Sequence, residues 1–390
     1  MKVLFVVPSI SRTGGGVSEA VRLTNEAVRA LPGVTTEIWA FEDSESARDV
    51  NAFVPSRVRL FQAWPPARFD FSPSLLLALL RSDADIVHVH GLWMFHCAAV
   101  LIWSLLSGRP YVVTPHGMLE AWILDRSPRL KAIVSRLFHD NFLRHASCLQ
   151  ALTKKEAEDI WAVVPNAPIR VIPNYVNIEY SISEVRPIWW NKDLEGRAIF
   201  LFFGRIHEKK GCSELLEAWA ALCSRDPVFR DRSALVFCGW MDSLHGFLEM
   251  VEQVSALHRN VVYGGPQFGR DKQRTLDAAT FVILPSRSEG LPMAVLEAWA
   301  AGKPVLMTEA CNLQIGFEKG AAIQIDLEVS RLSQQLRAAY DLTEKERATM
   351  RSSATALIDM AFSRQNVAKA LFEMYVSAMS LQKGQPCDPA

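Results

Sequence analysis

Short apolar runs alternate with amphipathic stretches along this chain, and the alternation lapses once before it starts again. The first set of runs is Val3–Val7, Thr36–Phe41, Ile86–His90, Tyr111–Thr114, Ser147–Leu152 and Ile169–Ile172. Helical segments fall between them, one from about Val17 to Leu31 and another inside the apolar stretch Gly91–Gly108. Runs this short and this apolar read as strands covered on both faces, and intervening helices impose parallel pairing. Residues 178–197, with Pro187, Trp189, Trp190 and mixed charges, lose the pattern and read as a linker. It resumes with Ala198–Phe203, Ala234–Cys238, Val261–Tyr263, Phe281–Leu284, Val305–Met307 and Ala321–Ile325, and ends in a helical tail, Val329–Leu381. The pattern predicts an α/β chain with two doubly wound parallel sheets, in domains 1–177 and 198–362, followed by a helix at 363–382.

Composition narrows the partners. Of the 390 residues, 42 are Lys or Arg and 42 are Asp or Glu, so no net field draws in nucleic acid and no nucleic-acid partner is expected. The seven cysteines are scattered and never form CxxC, which reads as reduced thiols in a cytoplasmic protein. MKVLFVVPSI contains Pro8 and lacks a cleavage pattern, so it reads as a first strand rather than a signal peptide. Gly91–Gly108 approaches spanning length, yet strand-like runs flank it and His96 opens it. It is expected to be a crossover helix, not a membrane span.

Ligands of such sheets bind at the carboxyl ends of the strands, so the loops there are searched first. FVILPSRSEGLPMAVLEAWAAGKP, residues 281–304, reads as strand, loop and helix. Glu289 falls in its loop, Pro292 in the first turn of a helix Leu291–Ala301, and Glu297 on that helix. In FFGRIHEKKG, Gly204 leaves a strand, Arg205 and Lys210 bring two cations to its end, and Gly211 introduces a helix. A guanidinium fork and an ammonium near a helix N-terminus suit a diphosphate; a solvated basic turn is the plainer alternative. Near the N-terminus, Gly14, Gly15 and Gly16 let a ligand approach the backbone before the next helix. The acidic pair Glu42 and Asp43 after the second strand keeps a ribose-binding, nicotinamide reading open, although the glycine loop is not GxGxxG. His88 and His90 share one strand face and His116 ends the neighbouring strand. The three read as zinc ligands, or else His88 reads as a satisfied structural histidine and His116 as a hydrogen-bond donor to a substrate. Asp83 and Asp85 form a DxD at the amino end of their strand, opposite the ligand edge, which reads as a turn.

Taken together these residues resemble the GT-B fold glycosyltransferases of family 4. GRIHEKKG is similar to the family's GR-x4-KG loop, Glu289 and Glu297 to its E-x7-E motif, and PNYVN to its PNGVD, with Tyr175 in place of glycine. The glycine-rich loop, VHVHGLW and TPHGMLEAW resemble members that build bacterial surface polysaccharides. The resemblance implies two Rossmann-like domains facing across a cleft. It implies a retaining, metal-independent transfer of a hexose-type sugar from a UDP-, GDP-, ADP- or dTDP-sugar, with no cofactor. Arg205 and Lys210 would neutralise the departing diphosphate, Glu289 would hold hydroxyls of the donor sugar, and Glu297 would hold the ribose. His116 would reach the transferred sugar, while Gly14, Gly15, Gly16, His90, Gly290 and Leu291 would line the substrates. The final helix would cross back to the first domain. A sugar-nucleotide-binding protein without activity is the alternative of another class.

The expected acceptor is a saccharide or a lipid-linked saccharide. Arg126, Arg129, Lys131, Arg136 and Arg144 interleave with Leu130, Ile133, Val134, Leu137, Phe138 and Leu143 at helical spacing. Such a face would rest peripherally on the anionic inner surface of the plasma membrane, or serve as an ordinary surface helix.

Overall fold

The computed structural model describes residues 1–65, 69–124, 134–176 and 185–381. They divide into two compact units, Met1–Tyr175 with the segment from Arg364, and Val176–Ser363.

The first unit holds a seven-stranded sheet. Its strands are β1 (Lys2–Val7), β2 (Thr35–Phe41), β3 (Arg57–Phe61), β4 (Ile86–His90), β5 (Tyr111–Thr114), β6 (Cys148–Ala151) and β7 (Ile169–Val171). Their order is β3-β2-β1-β4-β5-β6-β7, parallel throughout. The central strands are apolar because helices cover both faces, and Val3, Phe5, Val87, Val89 and Val113 have essentially no exposed surface. β3 was not expected from sequence. It is an edge strand whose Arg57 and Arg59 alternate with half-buried residues, so it lacks the apolar run of a central strand.

The second unit carries six parallel strands, β8 (Ala198–Phe203), β9 (Ser233–Cys238), β10 (Val261–Tyr263), β11 (Phe281–Leu284), β12 (Val305–Met307) and β13 (Ala322–Gln324). Their order is β10-β9-β8-β11-β12-β13. In both sheets the chain winds outward one way and then returns to wind the other, so the order reverses between β1 and β4 and again between β8 and β11. The crevice outside such a reversal is where open α/β sheets take ligands.

Two boundaries differ from expectation. Residues 185–197 are mostly exposed, as a linker would be, but two side chains anchor them: Trp189 and Leu194 are buried in the second core, and Trp189 Nε1 donates to Thr275 Oγ1 at 3.0 Å. Large apolar side chains found cover there although the periodic pattern had stopped; residues 177–184 lie outside the described residues. The helix after β11 runs only from Met293 to Ala300, with Pro292 as its N-cap rather than inside its first turn. The crossover Phe95–Ser107 is a helix buried along one side, and among the described residues no helix is long and apolar enough to cross a membrane.

The helix Arg364–Leu381 belongs to the first unit, packing on the helix Gly16–Arg29 and against β5. Its Tyr375 is fully buried and its hydroxyl lies 2.8 Å from His88 Nδ1.

Candidate functional site

The loops at the two reversal points carry most of the residues singled out from sequence. After β8 the chain turns at Gly204, passes Arg205, and reaches the helix Cys212–Arg225 through Gly211. After β11 it runs through Ser286, Glu289 and Pro292 into the helix Met293–Ala300. β8 and β11 are neighbours, and the two loops meet: Lys210 Nζ donates to Glu289 Oε1, and Arg287 N donates to Lys209 O at 2.8 Å. Ser286 Oγ donates to the same Glu289 oxygen. Glu289 is otherwise fixed through its backbone, donating to Ala310 O at 2.9 Å and accepting at its carbonyl from Asn312 Nδ2. Gly290 and Leu291 follow, both half-buried.

Arg205 is more open than Lys210 and pairs with Asp242 Oδ2 at 3.0 Å. Asp242 follows β9 and was not singled out from sequence; its position past a strand's carboxyl end was the signal available. Glu297, on the helix, pairs with Lys272 Nζ at 2.8 Å, a partner from the helix Gly269–Ala278 that no motif marks. Both cations and both glutamates of the expected donor site are thus held by an opposite charge. They are oriented in advance, and each carries a charge a ligand can take over. The helices at Gly211 and Pro292 begin at residues that offer no side-chain acceptor for their first N–H groups. Those donors and the positive ends of the helix dipoles favour an anion.

In the first unit, Gly15 takes φ 57° and ψ −133° as the N-cap of the helix Gly16–Arg29, a conformation that side chains rarely adopt. A Cβ at Gly15 or Gly16 would meet nothing within 4 Å among the described residues, whereas one at Gly14 would press on Ser18 Cβ at 3.3 Å. Openness over the second and third glycines, not close packing, therefore characterises the loop. Asp43 braces it, accepting from Ser9 Oγ at 2.6 Å and Ser11 Oγ at 2.8 Å. Burial pushes this carboxyl up, but the Ser9, Ser11 and backbone donors outweigh it and hold it below its ordinary value. Of the acidic pair considered for ribose, Asp43 is thus engaged by the loop, while Glu42 is exposed.

The three histidines do converge at neighbouring strand ends. His88 Nε2 lies 2.7 Å from Thr114 Oγ1 and its Nδ1 meets Tyr375, so it is a satisfied structural histidine. His90 Nδ1 lies 2.8 Å from His116 Nε2. Burial lowers His88 to about 3 and His116 to about 4, and carries His90 well below its ordinary value, so all three rings are neutral at pH 7. Among the described residues no group of His, Cys, Asp or Glu is arranged to hold a metal ion. Asp83 and Asp85 lie at the amino end of β4, where Asp85 accepts from Lys2 N at 2.7 Å and Asp83 pairs with Lys2 Nζ.

His116 adopts φ 57°, unusual outside glycine, and the next N–H, Gly117, donates to Glu156 Oε1 at 2.6 Å. Glu156 is buried, and its Oε2 also accepts from Leu152 N at 2.6 Å. Nothing in its spacing distinguished Glu156 from a solvated helix residue. Of the basic stretch, Arg136 and Arg144 are described, whereas Arg126, Arg129, Lys131, Leu130 and Ile133 lie outside the described residues.

Comparison with known proteins agrees along most of the chain. Residues 13–180 match the model of Glycosyltransferase Family 4, and residues 197–339 match Glycosyl transferases group 1. A GDP-mannose:cellobiosyl-diphosphopolyprenol alpha-mannosyltransferase of Xanthomonas oryzae is 24% identical over 99% of both chains. A D-inositol 3-phosphate glycosyltransferase of Saccharomonospora viridis is 26% identical, over 97% of this chain and 93% of its own. Among solved structures, Anabaena HepE in complex with UDP superposes with a TM-score of 0.75 at 19% identity, covering 97% of this chain and 100% of that one. The lipopolysaccharide outer core galactosyltransferase WaaB superposes at 0.68 and 17%, covering 97% and 99%. At these identities the structural likeness speaks to the fold.

Proposed function

Because the chain belongs to the GT-B glycosyltransferases of group 1, we propose that it transfers a hexose-type sugar with retention, from a nucleotide-diphosphate sugar to a lipid-linked saccharide. The observation that carries this reading is the Lys210–Glu289 pair between the loops after β8 and β11. It sets a cation and a carboxylate side by side where two helix N-termini begin. Breaking the bond between the anomeric carbon and the diphosphate builds negative charge on the leaving group. Lys210, Arg205 and the helix N–H groups stabilise that charge more in the transition state than before it. Glu289 turns to the sugar hydroxyls and Glu297 to the ribose. The acceptor hydroxyl adds on the face the diphosphate leaves, and the departing phosphate oxygen takes its proton. These side-chain cations fill the role a divalent metal fills elsewhere, so the reaction is metal-independent.

His116 serves the transferred sugar as a neutral hydrogen-bond donor. The full-length Xanthomonas relative is named for GDP-mannose and a diphosphopolyprenol-linked acceptor, and a donor and acceptor of those classes suit assembly of a surface polysaccharide at the cytoplasmic face of the membrane.

A melting panel of UDP-, GDP-, ADP- and dTDP-sugars, with and without EDTA, tests the donor. A ligand at a hundred times its dissociation constant adds about 2.7 kcal/mol of stability. One sugar nucleotide should raise the melt equally with and without EDTA, and Arg205→Ala should remove the shift. Proton spectra of the product should show the donor's anomeric configuration. A shift abolished by EDTA or an inverted product would refute the proposed mechanism.

A further inference from the structure

The hydrogen-bond polarity around the three histidines can be read from one end. The carbonyl of Ile172 can only accept, so Gln150 Nε2 donates to it at 2.8 Å. Gln150 Oε1 then accepts from the Thr114 hydroxyl at 2.9 Å. Having given its proton, that oxygen accepts from His88 Nε2 at 2.7 Å, and His88 Nδ1 accepts from the Tyr375 hydroxyl at 2.8 Å. His88 therefore carries its proton on Nε2.

His90 does not share in that chain, although its ring centroid lies only 4.2 Å from that of His88. Its Nδ1 is 2.8 Å from His116 Nε2, and its buried Nε2 has no partner among the described residues. A neutral His90 has one proton to place. On Nε2, it would leave a buried N–H with nothing to bond. On Nδ1, it makes the bond to His116 and leaves only a bare nitrogen, and an underused acceptor is tolerated better in an interior than an orphaned donor.

We propose that His90 is a positioning residue: by donating its Nδ1–H to His116 Nε2, it commits His116 to the tautomer that offers Nδ1–H to an oxygen of the transferred sugar. The role given to the sugar rests on the glycosyltransferase reading above; the tautomer does not. His116 is half-buried, so Nδ1 is the nitrogen left to a ligand. Its backbone is held at φ 57° while Glu156 takes the next N–H at 2.6 Å, so ring and backbone are fixed from different elements. A neutral ring has a single proton, and without His90 it would divide between two nitrogens, one of them facing away from the ligand.

The test is the nitrogen spectrum of the full-length protein labelled with 15N-histidine, with signals assigned by single replacements, His116→Gln among them. His116 and His90 should show protonated Nδ1 and bare Nε2, and His88 the reverse. His90→Leu should shift His116 toward the other tautomer and lower kcat by ~10-fold, the weight of one ordinary hydrogen bond, with donor KM within about twofold. His90→Asn, whose amide nitrogen falls near the position of Nδ1, should restore both the spectrum and most of kcat. A wild-type His116 protonated on Nε2 overturns the proposal without any variant. So does a His116 spectrum indifferent to His90→Leu, or an equal loss of kcat in the Leu and Asn variants. Should no sugar nucleotide be turned over at all, the spectra still decide the tautomer, and the proposed function is what fails.

Discussion

Gly211 stands directly against the carbonyl of Pro285: a Cβ at 211 would fall 2.1 Å from that oxygen and 2.7 Å from Leu327 Cδ2. The residue also adopts φ 67° as N-cap of the helix that follows Lys210. The glycine thus lets the loop after β8 lie on the end of β11, which is how Lys210 comes to meet Glu289. Gly211→Ala should cost at least about 1–2 kcal/mol from the left-handed backbone alone, and more from the displaced backbone. Its donor binding should fall further than its stability explains. Chemical denaturation and donor titration on the same preparation check this; an alanine variant with wild-type affinity would mean that the contact does not position Lys210.

The Lys210–Glu289 pair separates charge balance from chemistry. Both side chains are largely buried, so Lys210→Met leaves a carboxylate facing mostly protein, at a cost of about 3–5 kcal/mol. Glu289→Gln in the same chain removes the stranded charge and should recover most of that loss. Activity should not recover, because the cation that meets the leaving diphosphate is still missing; a fall of ~100- to 1000-fold in kcat is expected of both variants. Melting curves and initial rates for the single and double variants make the comparison. Activity regained with stability would reduce Lys210 to a structural role.

Much of this arrangement was legible in the sequence, for physical reasons that also mark where reading stopped. Strands such as Phe281–Leu284 declare themselves because burial on both faces demands unbroken apolar residues. Glycines and cations after them declare themselves because turns and anions require those residue types. β3 escaped because an edge strand tolerates Arg57 and Arg59. Asp242, Lys272 and Glu156 escaped because a partner 25 to 39 residues away leaves no local period. The packing of Trp189 against Thr275 escaped likewise, being set by tertiary contact alone.

Glu156 should leave a mark in the pH dependence of stability. Burial raises its carboxyl to about 7 from 4.5, against two backbone N–H groups that favour the ionised form, with Glu120 and Asp159 adding to the rise. A folded-state value above the unfolded one means that the folded chain holds the proton more tightly. The associated stability is therefore complete below about pH 4.5 and is lost as pH rises through about 7. The loss approaches about 3 kcal/mol, at roughly 1.4 kcal/mol for each pH unit of displacement. Glu156→Gln removes this dependence and turns one amide N–H toward a backbone donor, so it is less stable at every pH. The gap between wild type and variant should be widest near pH 5 and narrower near pH 8. Urea midpoints at the two values measure it, and a gap that widens toward pH 8 would reverse the assignment.

The buried imidazoles act with the opposite sign, and His139 isolates one of them. Its ring stacks on Trp93 with centroids 4.0 Å apart, it is fully buried, and neither nitrogen has a hydrogen-bond partner among the described residues. Burial lowers it to about 4, with His96 adding and Asp140 opposing. A folded-state value below the ordinary 6.5 means that the unfolded chain takes the proton first. The stability is whole above about pH 6.5 and drains away as pH falls toward 4. His88, His90, His96 and His116 titrate in the same sense, so several protons should bind on unfolding near pH 5.5 and urea midpoints should drop steeply below pH 6.5. His139→Phe keeps a flat ring on Trp93 and removes two unbonded polar atoms from the interior. It should stabilise the protein by about 1–3 kcal/mol at pH 7.5. It should stabilise further at pH 5.5, where the wild type still has one more proton to gain by unfolding. A variant weaker than wild type at pH 7.5, or one with an unchanged acid slope, would mean that the His139 ring has a bonding partner in solution.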